Sequence, residues 1–288
     1  MIKKINKKEI FLDSHSEPII LETGWKAKKA NGSVWIKQGG TVVLVTAVMN
    51  KKNAAFADFF PLTVNYIEKF YAVGKIPGGF LKREGRPTDK ETLVSRLIDR
   101  PLRPLFPDGF RNETQVIATV VSSDPTYPAD ILALNGASAA ISISDIPFNG
   151  PVAAVRVGKK DGSLIVNPTQ EEIDDLDLNI IVAGTYDAIV MVEAGMKNVK
   201  EEEVIESLDY GHSYIKKIAE AQVDFSKECG KEKFEYKDFS VDENLLSTVN
   251  NMVADKINEA LRISDRNMRY EALDKIRERF LEGIGMDE

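Results

Sequence analysis

The residues best suited to chemistry lie between positions 75 and 111, where cations, glycines and aromatic side chains are interspersed. A Gly-rich loop opens this stretch. Its candidate ligand-binding side chains are Phe80, Leu81, Lys82, Arg83 and Arg86. Lysine and arginine neutralise phosphate groups, whereas an aromatic ring stacks on a base of any identity. The pattern therefore predicts a flexible loop that holds an anionic ligand with stackable rings.

A short helix is predicted directly after this loop. Thr88 is followed three residues later by Glu91, which is the signature of a capping box at a helix N-terminus. Pro101 is expected to end the helix, because proline disfavours helical geometry in the residue before it. Apolar residues at 93, 94, 97 and 98 form one stripe that faces the core.

Three arginines on or next to this helix have two possible roles. Arg96 and Arg100 lie one turn apart on a face that differs from the apolar stripe, and Arg103 lies just past the helix end. Guanidinium groups suit bidentate contact with phosphate oxygens, so RNA or phosphate contact is one interpretation. The alternative is ion pairs with acids of the same segment. These acids are Asp89, Glu91, Asp99 and Asp108.

The charge distribution favours a polyanionic partner although the net charge of −7 does not. Residues 66–111 contain ten Lys or Arg and six Asp or Glu, whereas residues 169–211 contain twelve acids and two lysines. A basic strip on an acidic body is typical of an electrostatic footprint for nucleic acid. The alternative is that these charges interleave and pair on the surface.

The bulk composition bounds the class of protein. A length of 288 residues with 43% hydrophobic and 29% charged residues is typical of a globular protein with two domains. Cys229 is the one cysteine, which excludes an internal disulfide framework; with His15 and His212 it leaves too few ligands for structural zinc. Neither a signal peptide nor an apolar run of roughly 20 residues is found. We expect a cytoplasmic protein without a membrane partner.

The remaining elements alternate between strands and helices. Predicted strands cover residues 33–36, 41–48, 59–66, 114–123, 152–157, 163–166, 179–183 and 188–193. Predicted helices cover residues 129–144, 201–208, 213–223, 246–260 and 268–280. Gly39-Gly40 and Asp161-Gly162 are typical hairpin turns, and we expect the strand that follows Gly40 to be buried on both faces. The predicted fold class is α+β.

Three regions follow from this order. Residues 1–229 form the mixed core, residues 230–241 are charged and aromatic-polar and predict a linker, and residues 242–288 begin an all-α domain. Two helices alone cannot bury both of their apolar stripes. We therefore expect the chain to be part of a longer protein, with an incomplete helical domain.

Six long motifs resemble the bacterial polynucleotide phosphorylase family. They are FFPLTVNY at 59–66, GKIPGGF at 74–80, KREGRP at 82–87, SRLIDRPLRPLFP at 95–107, NGASAA at 135–140 and IPFNGPV at 146–152. The resemblance implies a first ribonuclease-PH-like core followed by part of the helical domain. It also implies a homotrimer that degrades RNA from the 3′ end with inorganic phosphate and Mg²⁺, releasing nucleoside diphosphates. A helicase and an endonuclease of an RNA-degradation complex are implied as partners.

The resemblance assigns the loop at 80–83 to the central channel, where it grips single-stranded RNA. The family often has a second aromatic residue where this chain has Leu81. We therefore expect base stacking there to be weaker or to depend on Phe80 alone.

The resemblance also implies that the catalytic site lies in a second core outside this chain. The family's Ser-rich phosphate loop matches residues 128–132, which contain no serine and include Asp130. Its D-x-D-x-K strand matches Asp177, Asn179 and Ile181, so one carboxylate and the lysine are missing. Mg²⁺ prefers hard carboxylate ligands. We expect this core to be vestigial, with no catalytic residue and no metal ligand.

Three hypotheses remain open on the sequence. The chain is part of a phosphorolytic exoribonuclease, or a stand-alone non-catalytic module for RNA binding and assembly. The weaker third hypothesis is a small-molecule phosphate or nucleotide binder that uses the arginine cluster.

Overall fold

The computed structural model describes residues 5–12, 17–52, 59–240 and 242–283, so His15 lies outside the described residues. It divides into two compact units, residues 1–238 and 239–288. Sheets and helices are both extensive in the first unit, in agreement with the predicted α+β class.

A six-stranded sheet forms the first layer of the larger unit. Its strands are β1 (Asn6–Ile10), β2 (Ile19–Thr23), β3 (Gly32–Gln38), β4 (Thr41–Met49), β5 (Leu62–Glu68) and β6 (Thr114–Ser122). Their spatial order is β1-β2-β3-β4-β6-β5, and β5 runs parallel to β6 while the other pairs are antiparallel. The predicted hairpin at Gly39 is confirmed, and this glycine has a φ of +51°.

The prediction that β4 is buried on both faces is wrong. Its side chains alternate between buried and half-buried, and Val48 is exposed. Apolar residues on a half-exposed face are common because polar residues cannot cover a whole protein surface.

Two helices pack on this sheet. The helix α2 (Ala129–Ile143) is buried along almost its whole length, and it contacts β3, β4 and β6. A methyl group on Gly136 would lie 2.8 Å from side-chain atoms of Ile36 and Val45, so the small residues of α2 permit close packing. The helix α1 (Asp89–Leu102) packs on β5.

A four-stranded antiparallel sheet forms the rest of the first unit. Its strands are β7 (Ala153–Lys160), β8 (Ser163–Val166), β9 (Leu178–Gly184) and β10 (Ile189–Met196), in the order β10-β9-β7-β8. The predicted turn at Asp161-Gly162 is confirmed, with positive φ at both residues. A short helix, α3 (Gln170–Ile173), separates β8 from β9.

The helices predicted at 201–208 and 213–223 form one continuous helix, α4 (Glu201–Cys229). Gly211 lies in its middle and faces the second sheet. A methyl group there would lie 2.9 Å from Val157, so this glycine permits close packing on β7 and does not end the helix.

The segment predicted as a linker, residues 230–241, begins as an extended strap on the first unit. Its backbone donates to the last residue of α2, from Lys231 N to Ile143 O at 3.1 Å, and to Asp145 two residues beyond the helix, from Phe234 N to Asp145 O at 2.7 Å. The Lys233 ammonium donates to three carbonyl oxygens at the C-terminal end of α2, at 2.9–3.2 Å. These contacts stabilise the helix end, where carbonyls lack helical partners.

The second unit contains α5 (Glu243–Leu261) and α6 (Arg266–Gly283), which contact each other. Large apolar side chains of both helices stay exposed. These are Leu245, Leu246, Met252, Leu261, Met268 and Tyr270. Among the helices that the structure describes, none is long and apolar enough to cross a membrane.

Candidate nucleic-acid interface

The loop between β5 and α1 presents its tip entirely to solvent. The Phe80 side chain is 100% exposed and that of Leu81 is 72% exposed. Lys82 has a φ of +51°, and a methyl group on Gly78 or Gly79 would meet no atom within 4 Å. An aromatic ring without protein neighbours gains nothing from folding, so its accessible faces are free for a ligand.

The three cations of this loop are Lys82, Arg83 and Arg86, and all are exposed. The structure records no ion pair between any of them and the residues that it describes. At the base of the loop, Lys69 and Glu84 form an ion pair that ties it to the end of β5. A cleft of about 440 Å³ opens beside Arg86 and Lys69. The loop therefore carries unpaired positive charge on an anchored base.

The helix α1 starts at the predicted capping box, which the structure confirms. Thr88 Oγ1 accepts from Glu91 N at 3.2 Å, and the Glu91 carboxylate accepts from Thr88 N at 2.7 Å. The same carboxylate accepts from Glu68 N at 2.8 Å, which fastens the helix to β5. Burial alone would raise the pKa of Glu91, but the hydrogen bonds from the Thr88 and Glu68 backbone lower it below its ordinary value.

Two details of α1 differ from the prediction. The helix includes Pro101 and ends at Leu102, after which residues 103–105 form a 3-10 turn. The residue before a proline is only a common helix boundary, and the 3-10 turn continues the chain without a break. Leu93 is 61% exposed and lies off the buried stripe that contains Val94 and Leu97.

The three arginines on or next to α1 have different environments. Arg103 donates to both oxygens of Asp99, at 2.8 and 3.0 Å from Nη2, and to the carbonyls of Phe60 and Leu62 at 3.1 and 3.2 Å. Its donors hold the C-terminal end of α1 to the start of β5 and the residues just before it, so this arginine has a structural role. For Arg103, the structure therefore supports the second interpretation, an ion pair with Asp99, and not phosphate contact.

Arg100 and Arg96 remain accessible. Arg100 Nη1 lies 3.5 Å from Glu193 Oε2 on β10, and both side chains are more than half exposed. An exposed pair of this kind contributes little to stability and can exchange partners. Arg96 is exposed and forms no ion pair with any residue of the described ranges. Arg96 is therefore the arginine of α1 that is best placed to contact a phosphate.

The place that matches the family's phosphate loop is closed by an internal ion pair. Arg156 Nη2 on β7 donates to Asp130 Oδ2 at 2.5 Å, and its Nη1 donates to Asn179 Oδ1 at 2.8 Å. Asp130 Oδ1 accepts from Ile131 N at 2.8 Å in the first turn of α2. Arg156 was missed in the sequence, although a single arginine in the apolar strand AAVRV was a usable signal.

The residues here do not fit Mg²⁺. The oxygen of Asn179 is occupied by Arg156, and Asp177 lies exposed at the start of β9. A cation such as Arg156 beside the candidate ligands would repel the metal ion.

Comparison with known proteins gives two family models that match more than half of the chain. They are the 3′ exoribonuclease family, domain 1, over residues 15–147, and the 3′ exoribonuclease family, domain 2, over residues 150–214.

Curated relatives carry the name polyribonucleotide nucleotidyltransferase. The protein of Legionella pneumophila (strain Corby) is 48% identical over 277 residues, which are 96% of this chain and 38% of the relative. That of Aquifex aeolicus (strain VF5) is 50% identical over 271 residues, 94% of this chain and 35% of the relative. The chain thus spans about 38% of the length of the first of these relatives. The resemblance predicted from the motifs is confirmed.

Among solved structures, rice (Oryza sativa) Rrp46 has the same fold. The TM-score is 0.56 at 17% identity, with 79% of this chain and 96% of that chain covered. Together with the family models, this likeness confirms the predicted ribonuclease-PH-like α+β core.

Proposed function

The chain belongs to the 3′ exoribonuclease family, and from that premise we propose that it is the RNA-gripping part of a phosphate-dependent 3′-to-5′ exoribonuclease. The whole enzyme would shorten RNA from the 3′ end and release nucleoside diphosphates. Its relatives' name, polyribonucleotide nucleotidyltransferase, fits this reaction. The chemistry would take place in a second core, with Mg²⁺ as cofactor and inorganic phosphate as co-substrate.

The observation that carries the proposal is the loop tip. Phe80 is fully exposed, and Lys82 and Arg83 beside it form no ion pair with any described residue. A ring that stacks on any base, next to cations that neutralise phosphates, grips a single strand regardless of its sequence. A processive exonuclease needs such a tolerant grip, because it meets every base in turn.

The closed pocket at Asp130 supports a division of labour. A carboxylate fixed at the N-terminus of α2 repels a phosphate from the position where backbone N–H groups would otherwise attract it. This core would therefore hold the strand while another core cleaves it.

The proposal extends to assembly. We place this chain in a homotrimer around the RNA strand, in the cytoplasm, with a helicase and an endonuclease as partners of a degradation complex. The support for these three points is the family resemblance.

The test is phosphorolysis of poly(A) with inorganic phosphate and Mg²⁺. The full-length protein should release ADP, the 288-residue chain should release none, and Lys82→Ala/Arg83→Ala in the full-length protein should raise the KM for RNA. Lys256→Ala/Lys275→Ala, at exposed positions of α5 and α6, removes the same charge and serves as control. ADP release by the purified 288-residue chain would contradict the vestigial core. If the full-length protein released no ADP, the hypothesis that would remain is a stand-alone, non-catalytic module for RNA binding and assembly.

A further inference from the structure

A second cationic and aromatic site lies in the turn between β2 and β3. Residues 24–31 contain Trp25, Lys26, Lys28 and Lys29 and no acid. The Lys26 ammonium lies 4.0 Å from the centroid of the Trp25 ring and 4.7 Å from that of Trp35. The two indole rings are 5.8 Å apart. Trp25 is 38% exposed, so part of this residue is accessible from solvent next to the Lys26 ammonium.

The turn is held in one conformation by its own hydrogen bonds. Ser33 Oγ donates to Lys26 O at 2.9 Å, and Ala30 N donates to Ala27 O at 3.0 Å. Thr23 Oγ1 donates to Ser33 O at 2.7 Å. A ligand would thus meet side chains whose backbone is already ordered, which lowers the entropic cost of binding.

A groove of about 190 Å³ adjoins the turn. Three lysines line it, Lys26, Lys28 and Lys231, and its described lining contains no acidic residue. Lys231 is fixed there by a hydrogen bond of 2.5 Å to Asn31 O. Lys28 forms no ion pair with the rest of the chain that the structure describes. A groove with cations alone attracts an anion.

The groove is separate from the loop at Phe80. Gly32, where β3 begins, shares a row of the six-stranded sheet with Val64, three strands away. Glu68, from which β5 leads toward the loop, lies four residues further along. The spacing between strands and the rise per residue along a strand place Gly32 and Glu68 roughly 20 Å apart. One extended strand of several nucleotides can cover this distance.

We propose that the turn at Trp25 is a second contact site for single-stranded RNA, with one base on the Trp25 indole and the adjoining phosphates on Lys28 and Lys231. The inference rests on the proposed function, because it assumes that the chain binds RNA. Its chemistry is that of non-specific single-strand binding, which combines aromatic stacking with a basic groove.

Intrinsic fluorescence tests this site directly, because Trp25 and Trp35 are the two tryptophans of the chain. The 288-residue chain is titrated with a fluorescein-labelled 12-mer of oligo(A), and anisotropy and tryptophan emission are read in parallel. Stacking on Trp25 should quench the emission, also in the Lys82→Ala/Arg83→Ala variant. Trp25→Leu should weaken the anisotropy-detected affinity about fivefold in that variant, whereas Trp25→Phe should retain it.

The charge component is tested by Lys28→Ala/Lys231→Ala, which removes the two lysines that line the groove and are proposed to contact phosphates. These changes are made in the Lys82→Ala/Arg83→Ala variant. The slope of the logarithm of the affinity against the logarithm of the salt concentration should become less steep by about 1.4. Lys256→Ala/Lys275→Ala, which removes two exposed lysines elsewhere, should leave the slope unchanged. ADP should quench far more weakly than the 12-mer.

Each failure has its own signature. RNA binding by anisotropy without any change in tryptophan emission would overturn the second site and leave the proposed function intact. Equal quenching by ADP and the 12-mer at equal concentration would also overturn it, since the groove would then bind a mononucleotide. No binding of the 12-mer by either readout would contradict RNA gripping by this chain itself.

Discussion

Asp130 and Arg156 form an ion pair of 2.5 Å at the N-terminus of α2, where the two side chains are only 17% and 11% exposed. The carboxylate also accepts from Ile131 N, as a bound anion would at this end of a helix. Arg156 in turn holds Asn179 of β9. The chain's own acid thus occupies the N-terminus of α2, and Arg156 neutralises that acid.

This pair gives a stability prediction. Arg156→Met should lower the free energy of unfolding by about 3 kcal/mol, because it leaves the Asp130 carboxylate buried without its partner. Asp130→Leu/Arg156→Met should recover most of the loss, since no buried charge remains. Urea unfolding monitored by circular dichroism checks both values. Equal losses in the single and double variants would show that packing of the arginine, and not the charge, is responsible.

The catalytic consequence is separate. In the full-length enzyme, the double variant Asp130→Leu/Arg156→Met should keep kcat unchanged for poly(A) phosphorolysis, because this core performs no chemistry in our proposal. A fall in kcat larger than tenfold, with the protein still folded, would contradict that assignment.

The loop tip gives a prediction about stacking. Phe80→Ala should weaken binding of oligo(A) by about 1 kcal/mol, the low end for one stacked base, and leave stability unchanged because the ring is fully exposed. Phe80→Trp should retain affinity, and Leu81→Phe should increase it by adding a second ring. Fluorescence anisotropy measures all three. If Phe80→Ala and Leu81→Ala had equal effects, stacking would not be the reason for binding.

The contrast between Arg96 and Arg103 gives the fourth prediction. Arg96→Ala should weaken RNA binding and leave the unfolding free energy unchanged. The slope of log affinity against log salt concentration should become less steep by about 0.7, which is the contribution of one phosphate contact. Arg103→Ala should lower the unfolding free energy by about 1 kcal/mol or more, because it removes hydrogen bonds to Asp99, Phe60 and Leu62. If Arg96→Ala instead lowered the unfolding free energy and Arg103→Ala weakened RNA binding, Arg96 would have the structural role and Arg103 would contact RNA.

The features of the fold that could be predicted from the sequence are those that residues close together in the chain determine. The start of α1 follows from Thr88 and Glu91, which are three residues apart, and the turn at Asp161-Gly162 follows from two adjacent residues. By contrast, the continuous helix α4 depends on Gly211 meeting Val157, and that contact comes from another element. A glycine in a charged stretch cannot show by itself whether it ends a helix or lets it pack closely.

The candidate site follows the same rule. The composition of the loop around Phe80 predicts an exposed cationic tip without further information. The structural role of Arg103 depends on carbonyls of Phe60 and Leu62, more than 40 residues earlier in the chain. The pair of Asp130 and Arg156 joins residues 26 positions apart in different elements. Spacing in the sequence could not indicate these contacts.

The last prediction concerns pH. The pKa of Glu91 is lowered in the folded protein, so between its ordinary value near 4.5 and the lower folded value the unfolded chain binds more protons. The stabilisation from this carboxylate is therefore fully present above pH 4.5 and is lost as the pH falls through the folded pKa. Glu91→Gln should cost about 2 kcal/mol at pH 7, since hydrogen bonds to the charged group are weakened.

The difference in unfolding free energy between the wild type and Glu91→Gln should consequently shrink as the pH is lowered from 5 to 3. Urea titrations at several pH values measure it, with Glu113→Gln, at an exposed position of the same unit, as control. A difference that stays constant over this range would mean that the hydrogen bonds from Thr88 N and Glu68 N do not favour the carboxylate over the neutral acid. The attachment of α1 to β5 would then depend on its apolar contacts, and the arginine face of the helix would keep its position in acid.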